Sequence, residues 1–488
     1  MIQLLTPGTV EEMLSTAGRL VTEKGIMTRN SEMIKAAEKC DLLHVKGNRI
    51  FPSPEALESC LLHVKQNRIS STGAYESQHG WPDMLIDNIT SNDLVIKLTD
   101  LPYQFCDHNS RKIVPLTREM VIEGTKLMHV LSKEQNIKGY TCGVPQDTRD
   151  QLRTVEQYLI GYRYNQNGGG TIQSVAAEVE MEFSQIRCIA ENRENRNERS
   201  LMLFSPSPMI FDADELYLCF KPGITLSSIM VGSMPMMGMT GPVDPIGSYI
   251  LGLAEVVGAA TILHALFPKV KIYVYPHPQA MDLRSGQMAF GTVEHARLEI
   301  IKMQVMNALG LQYYNLKDIM TSAQMPGSMA QGDKALGFYT GIMAGYKAFN
   351  LMPLSTDQVW SPVQALLDID ALKNAWAAMQ PLNSPNAASS AWETICEVID
   401  KDCLFAETND TLMNMAENYD MSPLHKRFFS SEIWESAGKI PELKSVEEKC
   451  REMVSTWDYH PDQEKLEKIL DIYHKMCGRY NVEPICLD

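Results

Sequence analysis

Between Val114 and Leu354, short apolar runs alternate with longer amphipathic ones, and this alternation limits the possible folds more than any other feature of the chain. The spacing predicts helices over 117–134, 148–162, 179–192, 212–220, 246–267, 293–309 and 332–346. Each leads into a predicted strand, over 139–144, 168–177, 200–206, 224–233, 271–278, 311–315 and 348–354. Strands that alternate with helices pair in parallel through right-handed crossovers. Seven such units in series favour a closed barrel over an open doubly wound sheet. The expected fold class is α/β, a (β/α)8 TIM barrel over 114–400, with the eighth strand not placed by the pattern. Residues 1–113 read as an N-terminal α+β cap, with helices at 11–24, 31–39 and 54–64, a strand at 49–52 and an extended pair over 94–105. Residues 401–488 read as a C-terminal helical extension, whose charged helix pair over 446–477 suits an oligomer surface.

Charge narrows the function classes. The 488 residues carry 44 Lys and Arg against 60 Asp and Glu, a net charge of −16. Such a surface repels a phosphate backbone and anionic lipid, which argues against nucleic-acid and membrane partners. Eleven cysteines, an odd number without CxxC pairs, read as free thiols of a reduced cytoplasmic chain. The first residues lack a basic run before an apolar one, so no signal peptide is expected. The apolar stretch 246–267 is interrupted by Glu255 and His264, which marks a buried helix of a soluble fold and not a membrane span. Thirty methionines are read first as adaptable core filling.

Barrel chemistry sits at the C-terminal ends of the strands, so the loops that follow them hold the candidates. Gly and Pro shape the loop 231–247, which offers Met234, Met236 and Met237 to a ligand or to a tight rim. Its glycine spacing fits neither a Walker nor a Rossmann loop. Loop 275–291 brings Tyr275, His277, Asp282 and Arg284. Arg284 has two readings, an ion pair with Asp282 or a bidentate grip on a substrate carboxylate. Segment 313–331 adds Tyr313, Tyr314, Gln324 and Ser328, and segment 349–362 adds Phe349, Asn350 and Trp360. Asn350 lies in an apolar strand and needs a hydrogen-bond partner if buried. Trp360 reads as hydrophobic cover or as one wall of a cation cage. The chain has no HExxH motif, no GxSxG elbow and no clustered cysteines, so a protein-bound metal is not expected.

Several of these segments carry a resemblance. MPMMGMTGPVDPIG (Met234 to Gly247) resembles the SPLxGATGPVTLAG segment of the trimethylamine methyltransferase family, and AMDLRSG (Ala280 to Gly286) resembles its DMRTG loop. MAGYKAFNLMPL (Met343 to Leu354) is similar to its AGANLI strand, and LLDIDAL (Leu366 to Leu372) to its LDDE helix start. LTDLPYQFCD near the N-terminus and SPLHKRFFSSEIWESAG, ending at Gly438, also match, so the likeness spans nearly the whole chain. It departs from the family where TSAQMPGSM (Thr321 to Met329) stands for TDSKxxDxQ and where Asp410, Thr411 and Leu412 stand for HTL. Without a pyrrolysine, the chain resembles the non-pyrrolysine branch, whose characterised members demethylate glycine betaine, proline betaine, carnitine and γ-butyrobetaine.

The resemblance implies a cytoplasmic methyltransferase of anaerobic one-carbon metabolism. It would move a methyl group from a quaternary amine to the Co(I) of a corrinoid (cobalamin) held by a separate partner protein, and release a tertiary amine. A quaternary nitrogen leaves as a neutral amine and needs no proton, which is consistent with the absence of acid–base motifs. Tyr275, Tyr313, Tyr314, Phe349 and Trp360 are the expected cation cage. Arg284 and His277 would meet a carboxylate, Gln324 and Asn350 would add polar contacts, and the three methionines would line the methyl path. No catalytic acid or base is assigned. Two alternatives stand beside this reading. One is a barrel lyase, which needs a Schiff-base lysine that Lys271, at the start of its strand, does not supply. The other is a ligand- or corrinoid-protein-binding barrel without turnover.

Overall fold

The computed structural model of the chain describes residues 2–66, 94–108, 110–134, 137–170, 175–192, 197–311, 316–380, 387–418, 422, 424, 430–438 and 442–487. Near the N-terminus, α1 (Pro7–Lys24) begins where Thr6 accepts a hydrogen bond from the Thr9 N–H and Pro7 presets the first turn. It stops at Gly25, whose φ of +66° favours glycine. An antiparallel sheet follows, of β1 (Ile26–Met27), β2 (Leu43–Lys46) and β3 (Arg49–Pro52) in the order β1–β3–β2, flanked by α2 (Ser31–Ala37) and α3 (Pro54–Gln66).

Next come β4 (Val95–Leu98), β5 (Gln104–Asp107), β6 (Lys112–Pro115), α4 (Arg118–Leu131), β7 (Ile137–Lys138), α5 (Asp150–Tyr164) and α6 (Glu180–Ala190). The middle of the chain runs through β8 (Glu198–Ser205), β9 (Thr225–Ser233), α7 (Pro245–Leu266) and β10 (Lys271–Pro276). A hairpin of β11 (Met281–Asp282) and β12 (Gln287–Met288) then leads to α8 (Val293–Ala308). β13 (Leu316–Ile319), α9 (Ser328–Ala344), β14 (Ala348–Leu351), β15 (Val359–Trp360) and α10 (Pro362–Ala378) finish the series. Two parallel arcs, β8–β9–β10 and β7–β4–β14–β13, form the α/β barrel.

The strand missing from the sequence pattern is β4. It pairs in parallel with β14 on one side and β7 on the other, inside the stretch expected to be cap. The run 94–105 reads as one extended pair, but its halves belong to different sheets: β5 pairs with β6 and β15. Two other strands are shifted. β7 ends just before the expected 139–144, where Cys142 instead packs under α4 so tightly that a Cβ at Gly124 would lie 2.3 Å from its sulfur. β13 follows the expected 311–315, of which residues 312–315 lie outside the described residues, as do 171–174 of the expected strand 168–177. The expected helix over 212–220 is a 3-10 helix, Asp214–Phe220.

α7 is the one described helix long and apolar enough to cross a membrane, and it packs against α1, α3, α8, β9 and β10 instead. Its interior Glu255 is tied to Ser207 (2.8 Å), to the Met209 N–H (2.7 Å) and to Ser233, which gives the buried carboxyl its required partners. The C-terminal region holds α11 (Ala387–Lys401), α12 (Asn409–Asn418), α13 (Ser431–Ser436), α14 (Glu442–Ser455) and α15 (Gln463–Tyr480). α14 and α15 return to the barrel, where Tyr473 bonds Glu156 at 2.8 Å and Arg118 grips the same carboxylate at 2.7 Å.

Candidate active site

A cavity of about 780 Å³ opens at the C-terminal ends of strands from both arcs. The strand register decides which side chains enter it. Asp318, Asn350 and Lys97 are Cα partners across β13, β14 and β4, so they stand side by side facing the interior. On the opposite arc Tyr275, Gly232 and Phe204 are partners across β10, β9 and β8. Glycine is required in the middle position, because a Cβ at Gly232 would lie 2.5 Å from the Phe204 ring.

A hydrogen-bond relay joins the two arcs. The Tyr275 phenol donates to Asp318 Oδ2 at 2.7 Å, and Asn350 Nδ2 donates to Asp318 Oδ1 at 2.8 Å. Burial, together with the Asp318 charge, raises the Tyr275 pKa well above its usual value, so the phenol keeps its proton. Asn350 Oδ1 is buried without a partner. His277 stacks on Tyr275, with ring centroids 4.9 Å apart, and lies 3.9 Å from Asp318. Burial pushes its pKa down to about 4, with Lys302 adding to the effect, so the imidazole is neutral near pH 7.

Behind His277 lies a buried charge cluster. Glu299 faces Lys302 at 2.9 Å and Lys317 at 3.4 Å. Burial alone would raise the Glu299 pKa, but these two ammonium groups outweigh it and hold the carboxyl well below the usual range.

The cavity is rich in acids and soft apolar groups. Its described lining holds the carboxyls of Asp100, Asp318 and Asp357 against one lysine, Lys97, and no arginine. Burial pushes Asp100 up to about 7, opposed by Lys97, and it raises Asp357 as well. The rings of Tyr140, Phe204, Tyr275 and Phe290 and the sulfurs of Met202, Met234, Met288, Met320 and Met352 also line the wall. At the rim, Ser355 (φ 51°) and Thr356 (φ 75°) both adopt the left-handed conformation. They are held there by bonds from their N–H groups to Ala323 O (2.7 Å) and Thr321 O (2.8 Å). Strain that surrounding bonds impose on non-glycine residues gathers at functional sites.

Of the residues singled out from the sequence, Met234, Tyr275, His277, Gln324 and Asn350 line this cavity. Others lie elsewhere, each for a clear reason. Phe349 alternates with Asn350 and therefore points out of the barrel toward α9, where a Cβ at Gly341 would touch its ring at 2.8 Å. Trp360 is buried in the core beside α4. Arg284 sits on the β11–β12 hairpin with its side chain 91% exposed, in a bidentate pair with Asp282 at 2.9 Å. Met236 makes a backbone bridge to Gln279, and Met237 packs on Ala280 and Leu298. Tyr313 and Tyr314 lie outside the described residues. The sequence reading passed over Asp318 and Lys97, although a charged residue inside a short apolar strand (LKDI, VIKL) is the same signal that marked Asn350. It also missed Asp100 and the aromatic residues of β8 and the β12–α8 turn.

Among the described residues, no group of three or more His, Cys, Asp or Glu is placed to hold a metal. The fold and cavity together define a barrel enzyme that presents an anionic, aromatic and methionine-lined pocket at its mouth. The chain matches the family described as trimethylamine methyltransferase (MTTB) over residues 1–475 and belongs to that family. It is thus a corrinoid-dependent methyltransferase, which transfers a methyl group from an amine to a separate corrinoid protein. Two solved structures are similar at 12% identity and a TM-score of 0.42. They are the hydroxylamine complex of MtmB, covering 93% of this chain and 93% of that one, and the monomethylamine methyltransferase MtmB of Methanosarcina barkeri, covering 98% and 93%. None of the curated proteins compared with the chain is a match.

Proposed function

We propose that the amine is quaternary, a betaine such as glycine betaine, proline betaine, carnitine or γ-butyrobetaine, and that the chain belongs to the non-pyrrolysine branch of its family. The carrying observation is the composition of the cavity: three carboxyls and four aromatic rings against a single lysine among the described lining residues. A permanent cation gains roughly 0.5–2 kcal/mol at each ring face it meets. Nearby carboxylates add to this attraction in a site partly closed to water.

The partner's Co(I) supplies the nucleophile for the methyl carbon. This chain's side chains bind, orient and keep the site dry. Tyr275 and Phe204 on one arc and Asp318 on the other hold the ammonium between them. Asn350 and Tyr275 fix the carboxylate of Asp318, so it is preorganised before substrate arrives. The Tyr275 proton is committed to Asp318, and a quaternary nitrogen requires none when it leaves. The methionines give the methyl path a polarizable apolar wall. Lys97 takes the part first assigned to Arg284, as the cation for a betaine carboxylate.

Calorimetry tests this reading. Glycine betaine, carnitine and trimethylamine are titrated in turn into the protein, and a quaternary amine is expected to bind at least tenfold more tightly than trimethylamine. Equal or weaker binding of every quaternary amine refutes the proposal. Eleven cysteines, an odd number without CxxC pairs, support a cytoplasmic location.

A further inference from the structure

His277 and the charge cluster behind it have no part in the binding scheme above, although burying such groups is costly. His277 follows β10, stacks on Tyr275 and is the one histidine among the described residues that line the cavity. Its Nδ1 lies 3.7 Å from Glu299 Oε1, and its Nε2 lies 3.9 Å from Asp318 Oδ2. One imidazole thus stands between two carboxylates. Burial keeps it neutral, so it has a single N–H to give and a single lone pair to offer.

The surroundings decide which nitrogen holds the proton. Asp318 already accepts from Tyr275 and from Asn350. Glu299 is held ionised by Lys302 at 2.9 Å and Lys317 at 3.4 Å, so its carboxylate can only accept. It is also the nearer of the two, and the Nδ1 that faces it is buried with no other partner. The distance is a fraction of an ångström beyond a hydrogen bond, and such bonds often tighten when a ligand fills the site. The proton therefore belongs on Nδ1, and Nε2 turns a bare lone pair toward the corner that holds Asp318. That lone pair repels a carboxylate and calls for a donor. Asn350 adds a second acceptor at the same corner, because its Nδ2 is taken by Asp318 and its Oδ1 is buried without a partner.

A quaternary ammonium has no N–H, so the donor has to sit on its carbon chain. Asp318 holds the ammonium, and Nε2 is 3.9 Å from that carboxylate. A hydroxyl on the second carbon from the nitrogen is three bonds away, roughly 3–4 Å in staggered conformations, and this matches the step from Asp318 to Nε2. Of the four betaines named above, glycine betaine, proline betaine and γ-butyrobetaine carry no such donor, and carnitine carries one.

We infer that His277, its tautomer fixed by Glu299, selects a quaternary amine that bears a hydroxyl on the second carbon from nitrogen; this rests on the quaternary-amine reading of the cavity. Carnitine and γ-butyrobetaine form the test pair, since they share length and charges and differ only in that hydroxyl. In calorimetry on the full-length protein, the better-bound enantiomer of carnitine is expected to bind at least tenfold more tightly than γ-butyrobetaine, because the analogue leaves a buried acceptor without a partner. His277→Phe keeps a ring beside Tyr275 and removes the acceptor. It is expected to bring the two ligands within twofold of each other while changing γ-butyrobetaine affinity by less than threefold. Equal binding of the pair to the wild type, or a tenfold preference that survives in the variant, overturns the inference. If both ligands bind equally but more tightly than trimethylamine, only this inference falls; if neither binds more tightly than trimethylamine, the quaternary-amine reading falls with it. If the variant does not fold, nitrogen-15 spectra of the histidine-labelled wild type decide. One unprotonated Nε2 resonance is expected to move upfield with carnitine and to stay in place with γ-butyrobetaine. No histidine nitrogen that distinguishes the two ligands overturns the inference.

Discussion

Tyr275 donates its phenolic proton to Asp318 Oδ2 at 2.7 Å, and this bond links β10 to β13, the facing end strands of the two parallel arcs. The same carboxylate takes its second bond from Asn350 on β14. Three residues from three strands thereby lock one negative group at the barrel mouth.

Tyr275→Phe keeps the ring and removes the donor. Hydrogen bonds to charged groups contribute about 1.5–3 kcal/mol, so a lower melting temperature is expected with the fold retained. Affinity for a quaternary amine should change by less than about threefold, because the ring face remains, while turnover falls tenfold or more as Asp318 loses its fixed position. Wild-type turnover in this variant would remove Tyr275 from the positioning role.

Asp318→Asn removes the negative group and keeps the shape. Affinity for a quaternary amine, read by calorimetry, should weaken by about tenfold, equivalent to 1.4 kcal/mol. An unchanged dissociation constant would place the cation elsewhere in the cavity.

Cation binding should depend on pH through Asp100. Burial, against the pull of Lys97, sets its pKa at about 7. Below that pH the carboxyl is neutral, and above it the carboxylate joins the attraction for an ammonium, so affinity should rise between pH 6 and pH 8. Asp100→Asn should flatten that rise. For stability the sign is opposite. The folded pKa lies above the unfolded one, so the folded state holds the extra proton between pH 4 and pH 7, and stability falls as pH rises through that window. A wild-type affinity flat across pH 6–8 would contradict the assignment.

Trp360→Ala and Arg284→Ala separate the cavity from its surroundings. Trp360 is core, so its loss should destabilise the fold by about 3–5 kcal/mol. Arg284 is exposed and paired with Asp282, so its removal should change betaine affinity by less than twofold. A large loss of affinity in the folded Arg284 variant would bring the β11–β12 hairpin into the binding site.

The alternation of strand and helix was legible in the sequence because a barrel repeats one local pattern, and every unit from 200–206 to 348–354 has its counterpart in the structure, with β13 displaced to Leu316–Ile319. β4 was not legible. The run 94–105 reads as one extended pair, and only the long-range partners β14 and β7 set β4 apart from the adjoining β5 and place it in the barrel. Met234, Tyr275, His277, Gln324 and Asn350 could be found because they follow strands or sit in them as polar exceptions. Phe349 was misplaced, and Trp360 was left between hydrophobic cover and cation cage until its burial decided for cover, because position in the sequence does not tell which way a side chain faces. Phe349 differs from Asn350 by a single step of strand alternation, which sends one ring to the helices and one amide to the cavity. The buried pair of Glu299 with Lys302 and Lys317 needs three-dimensional contacts to be seen at all.

The most direct test of the central claim is a spectroscopic methyl-transfer assay. The protein is mixed with a reduced Co(I) corrinoid protein and, in turn, with quaternary amines and with trimethylamine. The account predicts that the Co(I) absorption is lost with at least one betaine and persists with trimethylamine. Loss of the Co(I) band with trimethylamine, and with none of the betaines, would contradict it.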